Sequence, residues 1–300
     1  MKKFDVTALG ELLVDFTENG MSAQGNPLLE ANPGGAPCNV LSMLQNLGKK
    51  TAFIGKVGAD MFGTMLTQAV KDQGINIDNL VTDDTVHTTL AFVHTGVDGD
   101  RDFSFYRNPG ADMMLREEEI QQEIFADTKI FHFGTLSMTD LRMEQVTKHA
   151  VKKAKEQGAV ISFDPNLRPP LWKKLGDAAD KMWYGISQCD ILKISDDEIS
   201  FLTGTADIDQ GIGKIMEQYC PALICATMGK DGSKAYYKGK SVYAEPFLQK
   251  NTIETTGAGD TFMACILNTV LDKGINGLSE NDMYEICLLY TSPSPRDPKT

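Results

Sequence analysis

Three residues with almost no side chain, Gly257-Ala258-Gly259, stand directly before a carboxylate, Asp260, in the stretch "IETTGAGDTFMACILNTVL". A β-branched run precedes them and a helical run follows. A helix start needs one capping residue, which Thr255 or Thr256 could already supply. Glycines here do something further: without a Cβ, the backbone can be approached closely by a ligand. Open amides at a helix mouth, reinforced by the helix dipole, make an anion site. Charge developing on a transferred phosphoryl group is a load such a site stabilises, and Asp260 could accept the proton of an attacking hydroxyl. The plainer reading of the same residues is a tight strand-to-helix turn with a first-turn carboxylate. A second pair of glycines precedes a helical run in "NPGGAPCNVLSMLQNLG", residues 32–48. Asn39 lies in its first turn and offers both a donor and an acceptor, as a polyol requires. Asp15, in "ELLVDF", is a carboxylate among apolar residues and needs a partner. Sugar hydroxyls, a backbone amide or an arginine would each serve.

Two familiar phosphate motifs are excluded. No Gly-x4-Gly-Lys-Ser/Thr sequence occurs. "GAGDTF" begins like a dinucleotide fingerprint, but Phe262 occupies the place of its last glycine and no βαβ unit follows, so a nicotinamide enzyme is a weak runner-up.

The elements that must position these residues are legible as alternation. "FDVTALG", "KTAFIGKVG", "KIFHF", "GAVISFD", "CDILKIS" and "ALICAT" read as buried strands. Between them lie helical patterns at "APCNVLSMLQNLG", "MFGTMLTQAVKDQG", 140–157 and 172–187. Repeated strand–helix alternation predicts a mostly parallel sheet covered by helices on both faces. "HTTLAFVHTGVDGDRDFSFYR" differs: two β-like runs flank Asp98-Gly99, a hairpin signal. That hairpin, with part of 15–33, is expected to form a small β appendage.

The 300 residues suffice for one α/β domain, alone or with a small appendage. With 29 Lys+Arg against 41 Asp+Glu, the net charge of −12 argues against a nucleic-acid partner. The six cysteines are scattered and mostly in apolar runs, as buried thiols in a reducing compartment would be. His87, His94, His132 and His149 lack zinc-site spacing. No stretch resembles a membrane span, and Met1-Lys2-Lys3 leads into Phe4-Asp5-Val6, unlike a signal peptide. A cytoplasmic protein is expected.

Together these motifs resemble the ribokinase-like (PfkB-type) carbohydrate kinase family. "GGAPCNVLSMLQNLGKKTAFIGKVGADMFG" (34–63) is similar to its N-terminal signature, and "ETTGAGDTF" (254–262) to its C-terminal one. "LKISDDEISFLTG" and "ATMGKDGSKAYY" fall between them in the family's order. The resemblance runs from about residue 4 to 287. It implies ATP-dependent transfer of the γ-phosphoryl group to a sugar's primary hydroxyl. Asp260 would be the base, and the amides of Gly257, Ala258 and Gly259 the anion hole. Asp15, Gly35 and Asn39 would hold sugar hydroxyls. Lys193, Glu198, Thr227, Gly229 and Gly232 would form the ATP site, with Glu198 organising Mg2+ through water. Ser195 stands where the family's Asn-x-x-Glu pattern has Asn, as in fructokinase-type members. The implied fold is a mostly parallel sheet flanked by helices, with a β-sheet lid from parts of 11–33 and 87–110. The lid would close over the sugar, and a homodimer paired through it is the expected assembly.

"GELLVDF", "GGAPCNV", "DFSFYRNPGAD" and "FDPNLRPPLW" resemble the fructokinase branch, so fructose to fructose 6-phosphate is the implied reaction. Arg107 and Arg168 are the candidate specificity residues. Their alternative is a surface or lid-hinge ion pair. If both face the sugar they would favour an acidic one, so 2-keto-3-deoxygluconate or another sugar is the alternative substrate. Glu254 replaces the family's usual Asp and, with Thr256, would mark a monovalent-cation (K+) site. After "DMYEIC" the chain departs from the family. Residues 288–300, "LLYTSPSPRDPKT", are expected to be a non-native tail on a kinase domain (1–287) truncated at its C-terminus. A non-catalytic sugar-binding relative, or an inactive truncated fragment, is the alternative of another class.

Overall fold

The computed structural model describes residues 2–95, 101–246 and 257–289. The chain begins with β1 (Phe4–Leu9), β2 (Leu13–Met21), β3 (Pro27–Gly34), α1 (Ala36–Asn46), β4 (Thr51–Gly58), α2 (Met61–Asp72) and β5 (Asn76–Asp83). Next come β6 (Leu90–Thr95), β7 (Arg101–Tyr106), α3 (Glu123–Ala126), β8 (Thr128–Gly134), α4 (Leu141–Glu156), β9 (Val160–Asp164), α5 (Leu175–Gln188) and β10 (Ile191–Ser195). It continues through α6 (Asp196–Thr203), α7 (Ile208–Gln218), β11 (Leu223–Thr227), β12 (Ser233–Tyr237), β13 (Lys240–Ala244), α8 (Ala258–Lys273) and α9 (Glu280–Leu289).

Nine strands form one sheet in the order β13-β12-β11-β10-β9-β8-β1-β4-β5. It is parallel from β5 to β11, and β12 and β13 add an antiparallel edge. Every residue of β4 and of β11 is buried, as expected of strands covered on both faces. The pleat sends alternate side chains to opposite cores. Phe53 and Val57 of β4 pack with Leu41 of α1 and Phe262 of α8. Ala52 and Ile54 join the other core, with Val146 of α4, Ile186 of α5 and Ile215 of α7. A second sheet has the order β3-β2-β6-β7. Its β2 follows β1 after three residues, so Asp15 is carried directly off the edge of the large sheet. Phe16 and Phe92 stack on this small sheet at 5.0 Å between ring centroids.

Some elements differ from the sequence expectation. β12 was not anticipated, although Ser233, Ala235 and Tyr237 are buried in alternation, the period-2 signature of a half-covered strand. Helix α5 starts at Leu175 instead of 172, because Pro169–Leu171 make a 3-10 turn and Trp172 is extended. Helix α9 runs to Leu289, past the expected break at 288, since the first proline of the tail is Pro293. The Asp98-Gly99 turn and residues 290–300 lie outside the described residues. Among the described residues, no helix is long and apolar enough to cross a membrane.

Candidate active site

Strands β1, β9 and β10 of the parallel sheet end at one edge, where the first turns of α1 and α8 also arrive. In such folds ligands bind beyond the carboxyl ends of the strands. Here they enclose a cleft of about 290 Å³, lined by Glu11, Asp15, Gly35, Asn39, Asn166, Arg168, Lys193, Gly257, Gly259 and Asp260.

Helix α8 starts from Gly257, which is left-handed (φ 82°), and among the described residues no side chain caps it. Its start, with Gly257 and Gly259, lines the cleft. Asp260, one residue beyond Gly259, is buried, and its Oδ2 accepts the Asn39 side-chain N–H at 2.8 Å. That bond ties the starts of α1 and α8 together. Gly35 precedes α1 with φ 118°, and a Cβ there would meet the Glu11 carbonyl at 2.4 Å. An added Cβ on Gly34 would sit 2.3 Å from Asp15 Oδ2. Gly35 is thus required by close approach of backbone, whereas a side chain at Gly34 would displace the Asp15 carboxylate.

Lys193, in the middle of β10, forms a 2.9 Å ion pair with Asp164, at the end of β9. Burial opposes the ammonium, but Asp164, Glu198 and Asp260 outweigh it and hold the lysine charged. Burial pushes the Asp164 carboxyl up, against the pull of Lys193. His132 donates to or accepts from Ser162 at 3.0 Å; burial, with Lys193 nearby, lowers its pKa to about 3. It is therefore neutral and no acid–base catalyst at physiological pH.

Glu198 is buried with both oxygens engaged. Oε1 accepts the Leu167 N–H and Oε2 the Ser195 N–H, each at 2.8 Å. Ser195 returns a bond from the Glu198 amide, closing a capping box at the start of α6. The serine thus does the capping work at this position, and the glutamate anchors the 165–168 turn that carries Asn166 and Arg168 into the cleft.

Lys193, grouped with the ATP residues in the sequence reading, lines the cleft beside Gly259. One expectation is corrected. Arg107 does not line the cleft. Its guanidinium is buried, donating to Asp112 (2.8 Å), Thr139 (2.7 Å) and the Leu136 carbonyl (3.0 Å). A buried arginine must satisfy its donors, and this set is internal. Arg168 does line the cleft. Thr227 ends β11 beside Ser195, and Gly229 (φ 51°) and Gly232 (φ 88°) follow in the next turn, on the same edge but outside the cleft. Glu254 and Thr256 lie outside the described residues. Among the described residues, no group of three or more His, Cys, Asp or Glu is arranged to hold a metal.

The sequence reading missed Glu11, Asp164 and Asn166. Asn166 carried a faint signal: an Asn after a strand, in "FDPN", tolerates the left-handed backbone it adopts here (φ 47°). Glu11 is buried, and its Oε1 accepts the Ala36 N–H at 3.0 Å. Burial raises its pKa to about 7, against the pull of Arg107. With the folded value above the unfolded one of 4.5, the native state holds the extra proton between them. Stability from this group is therefore present below about pH 4.5 and is lost as pH rises through 7. Glu11→Gln keeps the acceptor and removes the charge. Its Tm relative to the parent should rise between pH 5 and pH 8; an unchanged difference would show that Glu11 does not titrate in this range.

A carboxylate beside uncapped helix amides, at the end of a polar cleft, can take a proton from a hydroxyl while the amides hold an anion. A family model described as pfkB family carbohydrate kinase matches residues 3–287. The chain belongs to this family. It is 40% identical over 275 residues to probable fructokinase-2 of Arabidopsis thaliana, covering 89% of this chain and 82% of that one. Among solved structures, a fructokinase from Xylella fastidiosa with bound ATP superposes with a TM-score of 0.85 at 30% identity, covering 97% and 90% of the two chains. A fructokinase from Vibrio cholerae O395 bound to fructose, ADP and calcium gives 0.85 at 26% identity, covering 97% and 91%. The kinase fold is thus the ribokinase-like one, and its small sheet corresponds in kind to the separate sheet of that architecture.

Proposed function

We infer that this kinase transfers the γ-phosphoryl group of ATP to the primary hydroxyl of fructose, giving fructose 6-phosphate. The observation that carries the reading is Asp260, buried at the cleft end beside the open amides of α8. Asp15, Gly35, Asn39 and Arg168 present the donors and acceptors a ketose needs. Fructose as the sugar is supported by the relatives named above. Asp260 removes the hydroxyl proton as the sugar oxygen attacks phosphorus. The bond to the departing ADP oxygen breaks, and the 257–259 amides hold the equatorial charge.

Thr227, Gly229 and Gly232, one strand away, would line the nucleotide, where glycine leaves room for phosphates. Mg2+ would be held mainly by those phosphates and would offset their charge. Glu198, with both oxygens already bonded to amides, fits a role through water. The small sheet exposes Met21 at the end of β2 and Leu28 and Leu29 on its outer strand β3, which supports a homodimer paired there. Sedimentation as a monomer at tens of micromolar would refute that assembly. All six cysteines are free, in keeping with a cytoplasmic location.

The test is ATP-dependent phosphorylation of fructose, 2-keto-3-deoxygluconate and ribose side by side. Fructose should be turned over with the highest kcat/KM. An acidic sugar was favoured only if Arg107 and Arg168 both faced it, and Arg107 is committed to Asp112. Preference for 2-keto-3-deoxygluconate would overturn the fructose assignment, and no turnover with any sugar would favour a non-catalytic relative.

A further inference from the structure

Beneath the cleft lies a second, smaller chamber of about 10 Å³, room for one water molecule. Its polar wall is Glu11 after β1, His132 of β8 with Thr135 just beyond it, Asp164 and Asn166 at the end of β9, and Asp260 of α8. His132 meets Ser162, Thr135 donates to the Pro165 carbonyl, and Asp260 accepts from Asn39. Asp164 is left short. Its side chain is 5% exposed and Oδ2 is taken by Lys193, but Oδ1 has no hydrogen-bond partner among the described residues. A buried carboxylate oxygen without a donor is costly, and a water donating to it removes that cost.

Glu11 borders both the cleft and the chamber. Its Oε1 accepts the Ala36 N–H at 3.0 Å. A glutamine would accept that bond equally well, without the stability lost as a buried carboxyl ionises. What the carboxyl adds is a proton exchangeable near neutrality, since burial raises its pKa to about 7. The groups that face it are Arg107 and Asp112 from the segment after β7, Cys38 of α1, His132, Asp164 and Asp260. Burial keeps the Cys38 thiol protonated and His132 neutral, and Lys193 offsets Asp164.

We propose that the chamber binds one water, held by Asp164 Oδ1, and that this water relays the sugar proton from Asp260 to Glu11. This rests on the phosphotransfer reading above and says where the proton goes once the base has taken it. As the sugar oxygen attacks, its proton joins the Asp260 carboxylate, the P–O bond to the sugar forms and the P–O bond to ADP breaks. Asp260 then gives a proton to the water oxygen while the water gives one of its own to Glu11. The water is regenerated, Asp260 is again a carboxylate and Glu11 is neutral. When the product leaves, Glu11 returns the proton to solvent through the cleft it borders. Drawing the proton off Asp260 prevents its return to the sugar oxygen. Glu11 is a positioning residue: it acts on Asp260 through the water.

Glu11→Gln keeps the acceptor for the Ala36 amide and cannot take the proton. With saturating ATP and Mg2+, kcat of the parent on fructose should rise with pH through an inflection at about 7, as Glu11 ionises. In Glu11→Gln that inflection should disappear. Its kcat at about pH 8 should fall by about 10–10²-fold, less than for loss of the base itself, with KM for fructose within about threefold. A merely structural glutamate predicts the reverse, because glutamine restores the bond and with it the parent profile. An atomic-resolution crystal structure of the parent should show an ordered water within about 3.2 Å of Asp164 Oδ1.

A folded Glu11→Gln that retains the inflection, or whose kcat at that pH stays within threefold of the parent, would overturn the relay. So would a chamber without water, or a loss confined to KM, which would make Glu11 a sugar ligand. Should Glu11→Gln melt below the assay temperature, Glu11→Asp takes its place. The shorter acid should shift the inflection, and an unshifted one would overturn the relay. If the parent phosphorylates none of the three sugars, the phosphotransfer reading fails and the relay with it. Turnover of fructose with an unchanged Glu11→Gln profile sinks the relay alone.

Discussion

Asp260→Asn lowers kcat for fructose phosphorylation by about 10²–10⁴-fold, the usual contribution of a positioned general base. KM for fructose should move only a few-fold. Asparagine has the same size, and its carbonyl can still accept the Asn39 N–H that meets Asp260 at 2.8 Å. What it cannot do is take the sugar proton. No nearby group substitutes for it. His132 is held neutral by burial and is engaged with Ser162. Asp164 is tied to Lys193. Glu11 is bonded to the Ala36 amide at the start of α1. Steady-state kinetics with fructose and ATP, run alongside thermal melts to confirm folding, provide the measurement. A variant that keeps more than a tenth of the parent kcat would mean that Asp260 is not the base.

Arg107→Met destabilises the fold by about 3–5 kcal/mol, because it strands a buried carboxylate. Asp112 has 1% of its side chain exposed and relies on Arg107 for charge and on Thr89 for one hydrogen bond. For a chain of this size the loss corresponds to a fall in Tm on the order of 10 °C. Arg107→Met/Asp112→Leu should recover most of it, since the pair is then replaced as a unit. At a temperature where the single variant is still folded, its KM for fructose should stay within a few-fold of the parent. The contrary pattern, an unchanged Tm with a large rise in KM, would return Arg107 to the sugar.

These two residues mark how far the sequence could be read. Asp260 was legible because its signal is local: small residues, a carboxylate and a helix within one short window. Arg107 was not. In sequence it resembles Arg168, an arginine beside prolines in a loop after a strand. Only the packing separates them, by placing Asp112 and Thr139 around one and an open cleft before the other. Lys193 illustrates the same limit. Its strand was predicted, yet which strands flank β10, and hence which carboxylate it meets, is a property of sheet order. Strand β12 is a different case. Its alternation was present in the sequence, but the five residues sit inside a motif that draws attention to its glycines.

The sequence by itself determined the alternating α/β plan, the hairpin runs of the small sheet, the glycine-led helix starts and the carboxylate placed at the mouth of α8. Each is written in short-range periodicity or in residue types that only one backbone geometry suits. The tertiary structure alone decided that Asn39 bonds to Asp260, 221 residues away, that Lys193 is fixed by Asp164, and that Arg107 is framework while Arg168 faces the cleft. Those pairings follow from strand order and from which buried charges find partners, and a linear window carries neither.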